Sequence, residues 1–336
     1  MAPLVFFGTP EFAIPTLAAL VEAGRAPLCV VTQPPRPVGR GQQPRPSPVA
    51  RWAEQRGLVV LEPERVRRPE FLAELRPLAP AIAVVVAFGQ IFPADLLALP
   101  AHGCINLHAS LLPRYRGAAP IQAAIAAGDE RTGVTVMRMA AGLDSGPILL
   151  QAEAPIGPRE TAGELAPRLA VLGARLVIEA LDRLERGDLP ARAQDDAAAT
   201  YAPRLDRDSG RADWTLPAAA LANRLRAYTP WPGVTAVLRG APVKLLRAEA
   251  LAAPDPLRRL PADDVAEPCA AAASAAAPPP ASQPGRILGL TPAGLAVAGG
   301  GGTTLAIPEL QRPGKKPQRA PDFVNGERLR EGERFT

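Results

Sequence analysis

AIAVVVAF, residues 81–88, is a continuous apolar run with none of the polar alternation of a strand wetted on one face. A run of this kind is a strand covered on both sides, as in a parallel sheet. Similar runs stand around it: LVFF at 4–7, LCVV at 28–31, LVVL at 58–61 and CINL at 104–107. The helix-like EFAIPTLAALVEAG separates the first two. Apolar strands alternating with helices over the first two thirds predict the α/β class, doubly wound about a mostly parallel, Rossmann-like sheet. Thr161 with Glu164 has the spacing of a capping box. It predicts a helix with Leu165, Leu169, Leu172 and Leu176 on one face, ending near Gly187 and closing a first domain over 1–188.

Residues 189–208 are polar, contain Pro190 and Pro203, and read as an exposed linker. Beyond them GVTAVLRG, PVKLLRAEA, GRILGL, GLAVAGG and TTLAIPEL are short strand-like pieces cut by Gly and Pro. That spacing predicts a small antiparallel, OB-like β-barrel over 209–336. Within it, 20 of the 33 residues from 252 to 284 are Ala or Pro without apolar periodicity, so the stretch is expected to be a disordered insertion.

At 336 residues two domains are the ordinary outcome. Cys29, Cys104 and Cys269 are widely spaced, and only His102 and His108 accompany them, so neither a disulfide framework nor a metal site is expected. PLVFFGTPEF at the start lacks the charged and apolar regions of a signal peptide, and no segment reaches a membrane span. The expectation is a cytoplasmic, soluble protein.

Charge is unevenly spread. Basic and acidic residues balance at 22 and 22 over 1–208 but stand at 16 and 11 over 209–336, which suits a polyanionic partner for the last third. Residues 25–51 hold Arg25, Arg36, Arg40, Arg45 and Arg51 with no acid; a solvated basic loop is the simple reading.

Ligands of open parallel sheets bind beyond the carboxyl ends of strands. Gly8-Thr9-Pro10, Phe88-Gly89-Gln90 and Asn106-Leu107-His108 all fall at such ends. Asn106 and His108, two apart on an extended segment, share a face and can act on one substrate atom. Asp144 in MAAGLDSGP follows the strand-like GVTVMRM and is the third candidate. Taken singly, a histidine at a strand end is often structural and an aspartate before Ser-Gly often makes a turn. GTP lacks G-x-G-x-x-G, and PGKKP lacks the spacing of a phosphate loop. Asn, His and Asp without a nearby nucleophilic Ser or Cys suit direct acyl transfer to an amine. The Asn amide and a protonated imidazole would donate to the developing oxyanion, while Asp144 orients the histidine and helps remove the amine proton. His102 reads as a surface loop residue, and Cys104 as buried filler.

INLHASLLPRYRGAAPIQ (105–122) with GLDSGPIL (142–149) resembles the catalytic core of the 10-formyltetrahydrofolate-dependent formyltransferases. FFGTPEFA, TQPPRPVGRGQQPRPSPV (32–49), VVVAFGQIFP, RLRAYTPWPGV and LQRPGKKPQRAPDFVNG are similar to the branch acting on charged initiator tRNA. The resemblance implies catalytic roles for Asn106, His108 and Asp144, with 10-formyltetrahydrofolate as co-substrate. It implies folate contacts for Ser110, Leu111, Leu112 and Pro113 and for the backbone from Phe88 through Gly89 to Ile91. Phe12 would line the methionyl pocket. Arg40, with Arg36 and Arg45, would reach the tRNA acceptor end, and the basic second domain, Lys315 and Lys316 included, would track the acceptor stem. Arginine suits this because it binds phosphate bidentately and stacks on bases. Pro35, Gln42 and Gln43 depart from the branch's pattern, with two charges fewer on the loop. The family also implies a monomer. Arg114 and Arg116 either brace the loop or face RNA.

Two other readings stand beside this one: the same chemistry on an amino sugar nucleotide or a small ribosyl amine, and a non-catalytic RNA-binding protein.

Overall fold

In a computed structural model that describes residues 2–38, 41, 43–252, 256–261 and 283–336, the run at 81–88 contains a strand buried at every position, Ile82–Val86. The chain forms two compact units. The first comprises 1–124, 130–158 and 164–204, and the second 125–129, 159–163 and 205–336.

The elements through the first unit are β1 (Leu4–Gly8), α1 (Ile14–Glu22), β2 (Val30–Val31), β3 (Arg36–Val38), β4 (Gln43–Arg45), α2 (Pro48–Glu54), β5 (Val60–Leu61), α3 (Pro69–Leu75), β6 (Ile82–Val86), α4 (Ala94–Leu97), β7 (Cys104–His108), β8 (Arg116–Gly117), α5 (Pro120–Ala127), β9 (Arg131–Arg138), β10 (Ile148–Pro155), α6 (Ala162–Arg186) and β11 (Tyr201–Ala202). Seven strands form one sheet in the order β10-β9-β7-β6-β1-β2-β5. The β7-β6-β1-β2-β5 part is parallel, and β9 and β10 add antiparallel.

Helices cover both faces, as continuous apolar strands require. Val5, Phe7, Val31, Ala83, Val85 and Cys104 pack with Phe71, Leu72 and Leu75 of α3 and Leu96 of α4. On the opposite face Leu107 of β7 meets Gly173 of α6, where even a methyl group would collide with it. Leu165, Leu169 and Leu176 of α6 are buried, and the helix stops before Gly187, a left-handed residue at φ 74°. Pro48 at the first turn and Ser47, whose Oγ accepts from Ala50 N at 2.9 Å, start α2.

The second unit contains α7 (Ala218–Ala227), β12 (Val234–Leu238), β13 (Ala241–Leu251), β14 (Ile287–Thr291), β15 (Gly294–Ala298), β16 (Thr304–Gln311), β17 (Gln318–Arg319) and α8 (Ala320–Glu327). Its antiparallel sheet runs β12-β13-β16-β15-β14, with β17 on β16. The carboxyl tail spans the two edges: Phe335 bridges Leu238 at the end of β12, and Arg334 bridges Arg286 before β14. This closure satisfies edge groups that an open sheet leaves exposed. Val243, Leu245, Ile287, Val297, Ile307, Phe323 and Phe335 fill the interior.

Residues 253–255 and 262–282 of the expected insertion lie outside the described residues. Residues 256–261 differ from that expectation. Arg258 pairs with Leu290, and Leu260 is buried in the second unit's core, because one leucine beside a free strand edge suffices to dock the segment.

Candidate active site

β7 ends on the site's first two residues. Leu107 faces α6, so Asn106 and His108 point from the other face of the strand, opposite Met137 and Thr135 of β9. Asn106 is partly exposed and His108 is buried. Because β9 is antiparallel to β7, with Arg138 beside Ile105, the loop leaving β9 starts near the amino end of β7. It returns along the face carrying His108, and Asp144 Oδ2 comes to 3.6 Å from His108 Nδ1. The structure thus brings Asp144 to His108, with Asn106 on the same strand face as His108.

The surroundings fix the ring and the carboxylate. His108 Nε2 lies 2.8 Å from the Tyr115 carbonyl oxygen; since a carbonyl only accepts, Nε2 carries the proton in this contact. Asp144 Oδ2 accepts from Gly117 N at 2.8 Å. Asp144 itself sits at φ 46°, a left-handed conformation uncommon outside glycine. His108 and Asp144 side chains are 7% and 17% exposed.

The segment after β7 is stitched internally. Ser110 Oγ donates to Arg114 O at 2.6 Å, and the Ser110 carbonyl accepts from Thr135 Oγ1 at 2.6 Å. Leu112 N donates to the same Thr135 Oγ1 at 3.1 Å, and Leu112 O accepts from Gln151 Nε2 at 2.9 Å. Ser110 and Leu112 are buried, while Leu111 and Pro113 are partly exposed, so the Ser110 hydroxyl shapes the turn.

The loop after β6 is pinned from two sides. The Phe88 carbonyl accepts from Thr9 Oγ1 at 3.0 Å and Gln33 Nε2 at 2.9 Å. The Phe88 ring is buried, edge-on to Phe7 and Phe92. Gly89 has φ 85°, and a Cβ there would stand 2.6 Å from Gln33 Nε2. Ile91 is 89% exposed. Phe88 therefore anchors the loop, and Gly89 and Ile91 face outward.

The basic stretch divides. Arg25 is buried and pairs with Asp182 and Glu185 of α6, each at 2.7 Å. The five arginines thus do not form one surface: Arg25 belongs to the core boundary, where α6 supplies acids that the local sequence lacks. Its guanidinium, hydrogen-bonded to Glu185, holds that carboxyl down at about 2. Arg36 and Arg45 face each other across the β3–β4 hairpin, both exposed, with Arg36 Nη2 donating to Gln33 Oε1 at 2.9 Å. Arg40 and Gln42 lie outside the described residues. Phe12 is partly exposed in the turn before α1. Lys315 and Lys316 are exposed between β16 and β17 of the second unit. Arg114 is exposed, over the Tyr115 ring, whereas Arg116 is 4% exposed and braces the loop.

Several residues around this site escape a reading of the sequence. Thr135 is buried and serves Ser110, Leu112 and Gln151, and its position as the polar residue within the apolar GVTVM was the available signal. Gln194 and Thr200 sit in the stretch read as a linker. Thr200 Oγ1 accepts from Tyr115 N at 2.8 Å, and β11 pairs with β8 in parallel. Nothing local marks either residue, since their partners are remote in the chain.

Cys29 and Cys104 are buried, which pushes both thiols up to about 12 and leaves them inert as nucleophiles. His102 is an exposed loop residue. Among the described residues no group of three or more His, Cys, Asp or Glu could hold a metal ion. No helix there is long and apolar enough to cross a membrane.

Comparison with known proteins gives a consistent family. The formyl transferase family matches residues 2–181, and the formyl transferase C-terminal domain matches 204–328. A methionyl-tRNA formyltransferase of Geobacter metallireducens is 45% identical over 332 residues, covering 99% of this chain and 98% of its own. The methionyl-tRNA formyltransferase of Solibacter usitatus is 46% identical over the same length and shares. Among solved structures, an N-formyltransferase from Helicobacter canadensis with folinic acid and dTDP-3-aminofucose aligns over 91% of this chain and 99% of its own, with TM-score 0.62 and 16% identity. HypX from Aquifex aeolicus with tetrahydrofolic acid aligns over 98% of this chain and 48% of its own, with TM-score 0.59 and 15% identity. At such identities these two structures share the fold alone.

Proposed function

This chain belongs to the formyl transferase family, and from that premise we propose that it transfers the formyl group of 10-formyltetrahydrofolate to the α-amino group of methionine on initiator tRNA. The product is N-formylmethionyl-tRNA for translation initiation, and the compartment is the cytoplasm. The full-length relatives carry the choice of acceptor, since two that match nearly end to end are named for methionyl-tRNA. They leave an amino sugar acceptor or a purely RNA-binding role less favoured. The observation that supports the chemistry is the approach of Asp144 Oδ2 to 3.6 Å from His108 Nδ1, with Asn106 on the same strand face as His108.

The donor set fits a folate formyl donor. Asn106 offers amide N–H groups to a carbonyl oxygen gaining negative charge, and His108 on the same strand face turns its Nδ1 edge toward Asp144 while Tyr115 O takes its Nε2–H. Ile91 and Leu143, 89% and 62% exposed, offer apolar surface on the loops that follow β6 and β9, suited to a heteroaromatic ring. The folate, when bound, supplies a formyl group activated by its attachment to nitrogen.

Asn106 donates to the formyl oxygen as the methionyl nitrogen bonds to the formyl carbon and the bond from that carbon to the folate nitrogen breaks, while His108, its Nε2–H taken by the Tyr115 carbonyl, keeps its Nδ1 edge toward Asp144. Asp144 orients the imidazole and, with it, accepts the proton lost by the amine, which returns to the departing folate nitrogen. No covalent bond to the protein forms. The remaining groups supply position: the Phe88 carbonyl, held by Thr9 and Gln33, fixes the loop beneath Gly89 and Ile91.

Arg36 and Arg45 stand cross-strand in the hairpin, a like-charge pairing that costs free energy unless an anion lies against it. The acceptor-end phosphates of tRNA are such an anion, and Arg40 between them in sequence would add to the contact. The exposed Lys315 and Lys316 serve acceptor-stem phosphates in the same way, and Phe12 borders the methionyl group.

Formylation by the purified protein of charged initiator tRNA, charged elongator tRNA and an amino sugar nucleotide, run in parallel, tests the reading. Transfer to initiator tRNA alone is expected. Preferred transfer to the sugar, or undiminished transfer by His108→Ala, would overturn it.

A further inference from the structure

The Asp144 backbone is held in a left-handed conformation, φ 46°. For a residue other than glycine this conformation persists when the surroundings over-determine it. The structure has two holds on this residue. One is direct: Gly117 N donates to Asp144 Oδ2 at 2.8 Å. The other runs through Gln194, whose Nε2 donates to the carbonyl oxygens of Asp144 at 2.8 Å and Gly146 at 2.7 Å, clasping the turn on both sides of Ser145.

Gln194 is fixed in turn. Its Oε1 accepts from Arg116 Nε at 3.0 Å and Nη2 at 2.9 Å, and Arg116 Nη2 also donates to Asp196 Oδ1 at 2.7 Å. A reversed amide would aim its oxygen at two carbonyls and its NH2 at a guanidinium, so the orientation is unambiguous. Arg116 is buried, a location that a charged side chain tolerates when its donors are used. Main-chain bonds set the register of the 192–202 segment. Arg192 exchanges N–H and C=O bonds with Ile148 at 2.9 and 2.8 Å, and Tyr201–Ala202 pairs with Arg116–Gly117. Arg116 and Gly117, adjacent in β8, thus hold Asp144 by main chain and by side chain.

We propose that Gln194, locked by Arg116, is a positioning residue for formyl transfer: it fixes the Asp144 turn so that the carboxylate faces His108. The segment 192–202 thereby completes the active site. This rests on the reading that Asp144 serves the reaction, and the test separates the two.

Steady-state kinetics of formyl transfer would be measured on the full chain for Gln194→Ala, Gln194→Glu, Asp144→Asn and the double variant Gln194→Ala/Asp144→Asn. Gln194→Glu keeps an acceptor for Arg116 but turns an oxygen toward two carbonyls, so it tests position with Arg116 still held. Both Gln194 variants are expected to lose kcat by roughly 10- to 100-fold, the scale of a displaced catalytic group. Their KM values for folate and tRNA should stay within about threefold, because neither ligand touches Gln194 in this reading. The pH profile of kcat should change in the same variants. In the Asp144→Asn background the Gln194→Ala change should cost less than about threefold, since the group it positions is gone. Wild-type kcat in both Gln194 variants, or losses that multiply in the double variant, would overturn the proposal while leaving Asp144 catalytic. Full activity in Asp144→Asn would remove both. If Gln194→Ala lowers the melting temperature, Gln194→Glu decides the matter alone.

Discussion

His108 Nδ1 and Asp144 Oδ2 lie 3.6 Å apart although one ends a buried strand and the other sits in a turn that folds back from the neighbouring antiparallel strand. The ring is held on its other side by the Tyr115 carbonyl, so the imidazole edge presented to Asp144 does not rotate freely. A base and its orienting acid need this two-sided hold.

His108→Ala and Asp144→Asn should therefore each reduce kcat by about 10²–10⁴-fold, the range for lost acid–base catalysis. Single-turnover formylation of charged initiator tRNA measures it. Normal turnover in both variants would leave the site elsewhere.

Asn106 shares the strand face of His108 and supplies the neutral donor. Asn106→Ala should lower kcat by about 10²–10³-fold with a small change in KM, the loss expected for one oxyanion donor. An effect confined to KM would make Asn106 a binding residue.

Arg36 and Arg45 face one another on the exposed hairpin. Replacing either by Ala should weaken binding of charged tRNA and reduce the slope of log K against log salt by about 1 for each phosphate no longer neutralised. Titration at several salt concentrations gives the slope, and an unchanged slope would detach the hairpin from RNA.

Gly89 has φ 85°, and a Cβ there would displace the Gln33 amide that holds Phe88 O. Gly89→Ala should cost about 1–3 kcal/mol of stability from backbone strain and raise KM for folate more than KM for tRNA. Denaturant unfolding with paired kinetics distinguishes this from a harmless change.

The Arg25 pairing sets an acid limit. Glu185 is held down at about 2 from an ordinary 4.5, so its contribution is complete above about 4.5 and falls away as pH drops toward 2. Arg25→Met should destabilise the fold at pH 7 by about 2–3 kcal/mol, short of a fully buried pair because both acids are partly solvated. The variant should also lose less stability than the parent between pH 4.5 and 2, as urea unfolding at stepped pH would show.

The fold class was legible because it is written in local period. Runs such as LVFF and AIAVVVAF can satisfy their backbone groups and hide their side chains only inside a covered sheet, and the leucines of α6 repeat at helical spacing. Asn106 and His108 were legible for the same reason, since a period of two puts them on one face whatever the rest of the chain does. Partial reading failed where a short segment had to choose a partner: Leu260, amid alanine and proline, is buried because a core edge is there to receive it.

By itself, then, the sequence determined the strands spelled out as apolar runs, the long helix and the pair of polar groups ending β7, because each depends on neighbours a few residues away. Only the tertiary structure decided that Asp144 returns to His108, that Gln194 clasps Asp144 from a stretch resembling a linker, and that Arg25 pairs with α6 while Arg36 and Arg45 stay exposed. Those contacts join residues separated by tens to more than a hundred positions, and a hydrogen bond or ion pair leaves no periodic trace in either partner's local sequence. Their geometry exists only once the sheet has fixed where each loop begins and ends.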